Sequence, residues 1–323
     1  MEYRRLGRSG LKVSAVGIGC NNFGRQVDAA AATAIVDQAL ECGINFFDTA
    51  DSYGGGGGSE DALGRALQGR RHEAVIATKG GAKVGGGPND VGGSRAHLMA
   101  ALEASLRRLR TDYVDLYQLH RPDPATPIEE TLRALDDMVR QGKVRYLGCC
   151  NFTAWQIVEA NLTAELRGLQ GFVSAQNQYN LLKRDVEPEV GAVCGAYGLG
   201  MLPFYPLASG LLTGKYGRDE PPPPGSRLSL GIAMYRGVLA EADFDKIARL
   251  EAFARERGHT LLELAMSWLA AKPFVASIIA GATRPEQAAQ NAAAWTWRLS
   301  QQDLAAIDAI TGVPFDSSGS IRP

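Results

Sequence analysis

The stretch Gly17-Ile18-Gly19-Cys20-Asn21-Asn22-Phe23-Gly24 closes the first apolar run of the chain, residues 13–19. Its glycines decide between two architectures. A chain that alternates short apolar runs with amphipathic stretches folds either as an open doubly wound sheet or as a closed barrel. The open dinucleotide-binding sheet needs G-x-G-x-x-G directly after its first strand, so that the backbone can approach a pyrophosphate. Here the third position of that pattern is Asn22, and the next glycine, Gly24, comes two residues late. The spacing is wrong for the open sheet, and a (β/α)8 TIM barrel is the expectation.

The same alternation recurs along the chain. Strands are expected at residues 13–19, 45–49, 74–79, 113–120, 144–150, 172–176, 201–204 and 276–281, where apolar and β-branched residues suit burial on both faces. Helix signals lie between them. Thr126-Pro127-Ile128-Glu129 reads as N-cap, N1 proline and capping-box glutamate, with Gly142 closing that helix. Thr153 with Gln156, and Ser300 with Asp303, repeat the start signal. Leu98, Leu102, Leu106 and Leu109 form one apolar stripe. No linker interrupts the pattern, so residues 1–323 are expected to be one domain.

Composition narrows function by exclusion. With 323 residues and 45% hydrophobic content, the chain can bury a core without disulfides or metal. A formal net charge of -1 points away from nucleic acid and anionic membranes. The five cysteines (Cys20, Cys42, Cys149, Cys150, Cys194) are odd in number and lack C-x-x-C spacing, which suits a reducing cytoplasm. Cys149 and Cys150 are expected to be small apolar fillers. Four histidines without H-E-x-x-H spacing give no metal site, and His72, His97 and His259 are expected at the surface. No segment approaches membrane-spanning length, and residues 13–19 are too short for a signal region. Trp155, Trp295 and Trp297 are expected to pack helices on the barrel.

Two loops stand out. Gly54 to Gly58 is a run of five glycines without the G-K-[ST] ending of a phosphate loop. Residues 207–243 form a long irregular segment containing four successive prolines, Pro221 to Pro224, and so long a loop is expected to be functional.

In a barrel, chemistry sits at the carboxyl ends of the strands. Asp48, Lys79, His120, Asn151 and Gln176 each end one of the expected strands. Singly they are solvated strand ends; together they converge on one rim. Asp48, Tyr53, Lys79 and His120 also make chemical sense as a set. Reducing a carbonyl by hydride transfer requires a proton at the oxygen as negative charge develops there. A free phenol has a pKa of about 10, and an adjacent ammonium lowers it. Lys79 is expected to lower the Tyr53 pKa in this way, with Asp48 holding the lysine and His120 hydrogen-bonded to the substrate oxygen.

With these motifs, the chain resembles the aldo-keto reductase superfamily over nearly its whole length. Phe47-Asp48-Thr49-Ala50-Asp51-Ser52-Tyr53 is similar to the segment carrying the family's catalytic aspartate and tyrosine. Ala77-Thr78-Lys79 and Asp115-Leu116-Tyr117-Gln118-Leu119-His120 resemble those carrying the lysine and histidine. The resemblance implies a barrel whose bottom is closed by a hairpin in residues 2–12, long loops at its carboxyl face, no metal or flavin, and NADPH as cofactor. Gly281-Ala282-Thr283-Arg284-Pro285-Glu286-Gln287 follows the last strand and opens a helix, whose free N–H groups favour phosphate. Arg284 suits the 2′-phosphate of NADPH. By the family pattern, Gln287 and Asn291 lie near the adenine, while Gln290 stands where many relatives have glutamate. Asn151 and Gln176 resemble the residues that bind the nicotinamide carboxamide, with Cys150 in place of the usual serine. In Pro203-Phe204-Tyr205-Pro206-Leu207, Phe204 takes the position that stacks on the nicotinamide and Tyr205 a serine position. Gly210 to Lys215, with Ser226-Arg227, resembles a loop closing over the pyrophosphate, where Lys215 and Arg227 are candidate phosphate ligands.

The expected function is NADPH-dependent reduction of an aldehyde or ketone to an alcohol, cofactor binding first, with Tyr53 as general acid. The expected partner is a small-molecule carbonyl substrate, and the pattern carries no sign of oligomeric state. Two alternatives use the same residues. One is a biosynthetic ketoreductase for a nucleotide-linked keto sugar. The other is a cofactor-binding redox-sensing subunit with little turnover, similar to channel-associated members of the superfamily; it would carry a partner-binding extension, and the chain begins almost at its hairpin.

Overall fold

Strands that are apolar on both faces need cover on both. The computed structural model, which describes residues 1–218, 220–230 and 232–312, supplies it by closing a sheet on itself and surrounding it with helices. A two-stranded antiparallel hairpin comes first, β1 (Tyr3–Arg5) with β2 (Lys12–Ser14). Eight parallel strands follow: β3 (Val16–Gly19), β4 (Phe46–Asp48), β5 (Val75–Gly80), β6 (Val114–Leu119), β7 (Val144–Cys150), β8 (Phe172–Gln176), β9 (Gly200–Met201) and β10 (Ile278–Gly281). They pair in the order β10-β3-β4-β5-β6-β7-β8-β9. The ring closes where Met201 bridges Val275 in parallel and the Ile279 N–H donates to Pro203 O at 3.0 Å. This is the (β/α)8 barrel, and the open sheet is excluded.

The two-residue period of a strand sorts the barrel interior by height. Phe46, Ala77, Leu116, Leu202, Ala276 and Ile279 form an apolar plug together with Leu6 and Val13 of the hairpin. Two residues further along β4, β5, β6 and β8 the inward positions are Asp48, Lys79, Gln118 and Gln176, all buried. The interior is therefore apolar below and polar at the carboxyl ends. The hairpin seals the apolar end. Leu6 is completely buried, and a side chain at Gly7, whose φ is 57°, would strike Val173 O at 2.5 Å and Gly200 N at 2.8 Å.

Several local expectations change. The run 13–19 divides at Ala15, whose N–H donates to Glu2 O at 2.9 Å, so its first half joins the hairpin and its second half the barrel. The run 201–204 contracts to β9 because Pro203 has no N–H for a ladder. The Thr126 cap does not form. The helix is Ile128–Arg140 with Pro127 at its cap, Thr126 Oγ1 donates to Asp123, and Glu129 accepts from Arg133 and Arg167 instead of reaching back. The other two boxes do form, with Gln156 accepting from Thr153 N–H and Asp303 from Ser300 N–H, both at 3.0 Å. Residues 207–243 contain ordered turns, Ala208–Thr213 and Arg227–Leu230, and a helix, Ala233–Ala240. The leucine stripe is buried as expected on the helix Arg95–Leu109. His97 on that helix is also buried rather than superficial, its Nδ1 3.0 Å from Asn89 O, while Trp155 is exposed rather than packed.

The hairpin plug predicts a mutational outcome. Leu6→Ala removes a fully buried side chain from the closed end and is expected to lower unfolding stability by about 2–5 kcal/mol in urea titration. A loss below about 0.5 kcal/mol would show that the hairpin does not brace the barrel.

Candidate active site

The polar layer above the plug is a compact charge network. Lys79 has no solvent exposure, and its Nζ donates to Asp48 Oδ2 at 2.6 Å and to Thr49 O at 2.9 Å. The other carboxylate oxygen, Oδ1, accepts from Gln118 Nε2 at 3.1 Å and Gln176 Nε2 at 2.9 Å. Tyr53 stands in the turn after β4, with the Lys79 Nζ 5.0 Å from its ring centroid. His120 meets the same ring edge-on, centroid to centroid 5.5 Å, and Ser52 Oγ lies 3.5 Å from its Nδ1. The structure thus brings Asp48, Tyr53, Lys79 and His120 together.

Burial sets the protonation states. The Tyr53 hydroxyl is pushed up to about 12 by burial, with the Lys79 charge opposing the rise. This corrects the expectation of a lowered phenol pKa, because desolvation outweighs the ammonium. Tyr53 therefore carries its proton at neutral pH. For Lys79, burial disfavours the charge, but the Asp48 carboxylate and then Tyr53 more than compensate, and its pKa lies above the ordinary lysine value. His120 is pushed down to about 3 by burial, then by the Lys79 and Arg121 charges, so its ring is neutral. The Cys150 thiol is raised to about 12, mainly by burial, and is inert as a nucleophile.

A cavity of about 1030 Å³ opens above this network, lined by Asp48, Tyr53 and His120 but not by Lys79, which lies beneath. All the residues expected from sequence to hold a dinucleotide line it: Asn151, Gln176, Phe204, Leu207, Gly210, Lys215, Arg227, Gly281, Thr283, Arg284, Gln287 and Asn291. Asn151 has a left-handed φ of 61°, and its Nδ2 donates to His120 O at 3.1 Å. Gln287 accepts from Thr283 N–H at 2.8 Å, and Asn291 donates to Gly281 O at 3.4 Å. Asn21, Asn22, Arg121, Tyr205, Ser226 and Gln290 line the cavity as well.

The site suits a phosphate-bearing dinucleotide. Ligand pockets typically span about 300–1,000 Å³, and this one lies just above that range. Asn22 Nδ2 and Ser226 Oγ are buried on its wall without hydrogen-bond partners, as donors awaiting a polar ligand would be. Lys215, Arg227 and Arg284 supply positive charge on its wall, Arg284 at the start of the helix Pro285–Ala293.

Sequence reasoning missed two buried residues. Gln118 lies on the inward face of β6 between Leu116 and His120, where the two-residue alternation would have found it. Asp51 stands in the quoted motif and is 1% exposed without a side-chain donor. Burial, then the nearby Glu60, raise its pKa to about 7. The glycine run has a packing role. Gly54 to Gly57 all take positive φ, and a side chain at Gly57 would strike the Arg108 guanidinium, which holds Glu60 at 2.7 Å.

Among the described residues no helix is long and apolar enough to cross a membrane, and no cluster of three or more His, Cys, Asp or Glu could hold a metal ion. The family model described as "Aldo/keto reductase family" matches residues 15–311. The chain belongs to the aldo/keto reductase family. At that level it is an oxidoreductase of the carbonyl-reducing class. A "Probable voltage-gated potassium channel subunit beta" of Oryza sativa subsp. japonica is 40% identical over 303 residues, 90% of each chain. An "Uncharacterized oxidoreductase YrpG" of Bacillus subtilis (strain 168) is 39% identical over 297 residues, 89% of each chain. An "L-glyceraldehyde 3-phosphate reductase" of Escherichia coli (strain K12) is 36% identical over 321 residues, 95% of this chain and 92% of the relative.

The raised Asp51 predicts a pH dependence in this aldo/keto reductase. A carboxyl with a raised folded pKa contributes stability that is whole below its ordinary value of 3.8 and is lost as pH rises through about 7. Asp51→Asn removes that ionisation. Urea unfolding should show the variant gaining on wild type between about pH 4 and about pH 7 and the difference levelling off above that; a constant or shrinking difference across that window would contradict an ionisable, unpaired Asp51.

Proposed function

We propose that residues 1–323 act as one unit that binds NADPH and reduces an aldehyde or ketone to an alcohol, with Tyr53 as general acid. The observation that carries this reading is the buried Asp48–Lys79 pair beneath Tyr53 and a neutral His120 at the cavity floor. NADPH held in this cavity would supply the hydride that reduces the carbonyl carbon. Tyr53 presents its proton where negative charge develops on the substrate oxygen, and the Lys79 ammonium stabilises the phenolate left behind. Asp48 keeps the lysine charged and fixed in place. A neutral His120 donates one ring N–H to the same oxygen and orients it. Asn151 and Gln176 bind the carboxamide, Phe204 stacks on the nicotinamide, Lys215 and Arg227 bind the pyrophosphate, and Arg284 binds the 2′-phosphate. Leu207, Gly210, Gly281, Thr283, Gln287 and Asn291 complete the cofactor's walls. We place the protein in the cytoplasm, on its five free cysteines.

A second reading is favoured by the relatives named as potassium channel subunits, at 40% identity. In it the same cleft holds the cofactor and the protein reports its redox state. NADPH oxidation that is no faster with a panel of carbonyls than without one would favour that role.

Tyr53→Phe is expected to cut carbonyl-dependent NADPH oxidation by about 10²–10⁴-fold while NADPH still binds by fluorescence titration. Turnover near the parent level would exclude Tyr53 as the acid. Arg284→Ala is expected to weaken NADPH about tenfold or more, as for loss of a charge-assisted hydrogen bond, and to leave NADH binding nearly unchanged. Equal weakening of both would remove Arg284 from the 2′-phosphate.

A further inference from the structure

The charges on the walls of the cleft are lopsided, and the cofactor accounts for only part of them. Among the described residues Asp48 is the sole carboxylate lining the main cavity or the lobe beside it, and Lys79 neutralises it. Five cations line the same walls: Arg25, Arg121, Lys215, Arg227 and Arg284. The whole chain has a formal net charge of -1, so positive charge is concentrated here. A cleft lined by one sign of charge draws ligands of the other. Arg227 reaches toward Gly281 at the end of β10, Lys215 toward Gly210, and Arg284 caps the helix Pro285–Ala293. These three serve the dinucleotide phosphates in the proposed function. Arg25 and Arg121 are left over, at the Tyr53 and His120 end.

Both are exposed, and neither makes an ion pair among the described residues. Arg121 stands near enough to His120 for its charge to act on that ring. Arg25 is placed more tellingly. It is the one charged side chain lining a lobe of about 460 Å³ whose wall also includes Asn21, Ser52, Tyr53, Gly54 and Gly55. The lobe shares Tyr53 and Asn21 with the main cavity, so it opens on the same phenol. It is open beside Gly55, whose φ is 79° and where a side chain would meet nothing within 4 Å. A carbonyl oxygen held by Tyr53 and His120 leaves the rest of a substrate free to extend into this lobe, toward Arg25.

We propose that this lobe seats an anionic group of the substrate against Arg25, so that the substrate is a short aldehyde or ketone bearing a phosphate monoester or a carboxylate. The guanidinium fork matches either group in two parallel hydrogen bonds. Arg121, at the His120 side, adds to the attractive field. The proposal rests on the carbonyl-reductase reading above.

The test measures kcat/KM with saturating NADPH for glyceraldehyde 3-phosphate, succinic semialdehyde and neutral butanal, in wild type, Arg25→Gln, Arg25→Lys and Arg121→Gln. Wild type is expected to favour at least one anionic aldehyde over butanal by about tenfold or more, mainly through KM, and added salt should erode that preference. Whether the phosphate or the carboxylate is preferred identifies the group. Arg25→Gln is expected to lower the anionic-to-neutral ratio about tenfold or more, and Arg25→Lys to restore part of it. The proposal is overturned if butanal matches both anions in wild type, if Arg25→Gln leaves the ratio unchanged, or if Arg121→Gln alone abolishes it. The carbonyl-reductase reading fails differently, by absence of turnover with all three. Calorimetry on the NADP+-bound protein with the alcohol of the preferred aldehyde, glycerol 3-phosphate or 4-hydroxybutyrate, then decides the lobe: binding that Arg25→Gln removes supports it, and no binding to wild type, or binding that Arg25→Gln leaves intact, overturns it.

Discussion

A lysine with no exposed surface can keep its charge only if something inside the protein replaces the water it has lost, and in this barrel that is Asp48, 2.6 Å away. Removing two charges from water costs several kcal/mol per ion, and their attraction offsets this only when the remaining polar atoms are also satisfied. The barrel meets that condition from four strands. Thr49 O takes a second Lys79 proton, and Gln118 and Gln176 occupy the free carboxylate oxygen. The set is spread over the ends of four strands, β4, β5, β6 and β8, so the network forms only once those strands have come together. The apolar plug beneath it excludes water from below, and the hairpin residue Leu6 completes the plug.

That pair governs the groups around it. Burial raises the Tyr53 hydroxyl to about 12, and the ammonium limits the rise. The resting site therefore holds a neutral phenol and a neutral imidazole beside a permanent positive charge. This suits an acid that must retain its proton until negative charge appears on a substrate oxygen, rather than a phenolate waiting as a base. Burial first, and then the same positive charge with Arg121, keep His120 unprotonated. Along the cleft, cations outnumber the single lining carboxylate from the catalytic end to the helix Pro285–Ala293, and a polyanionic ligand lying along it would meet favourable charge.

Much of this was legible in the residues. The positions of all eight barrel strands could be found because alternation and β-branched content are local, and two of them, Val144–Cys150 and Phe172–Gln176, keep their expected bounds. The polar residues ending those strands marked the rim for the same reason. Capping boxes at Thr153 and Ser300 survive because their partners lie three residues away. Thr126 loses its cap because Asp123 offers a competing acceptor and Glu129 finds arginines from its own helix and the next. Within the glycine run, Gly54 to Gly57 take left-handed φ and Gly57 packs on Arg108, a partner far away in sequence that no local pattern announces.

The order of residues along the chain by itself determined the barrel, its polar rim and the family to which the chain belongs, since each is written in short-range periodicity and in motifs a few residues long. The protonation of Tyr53 and Asp51, the part played by Gln118, and the pairing of Arg25 with a lobe beside the phenol were decided only by the closed structure. A pKa depends on how much water and how many charges surround a group from every direction, and those neighbours come from strands far apart in sequence. Local pattern says which side chains face inward; only closure says what they face.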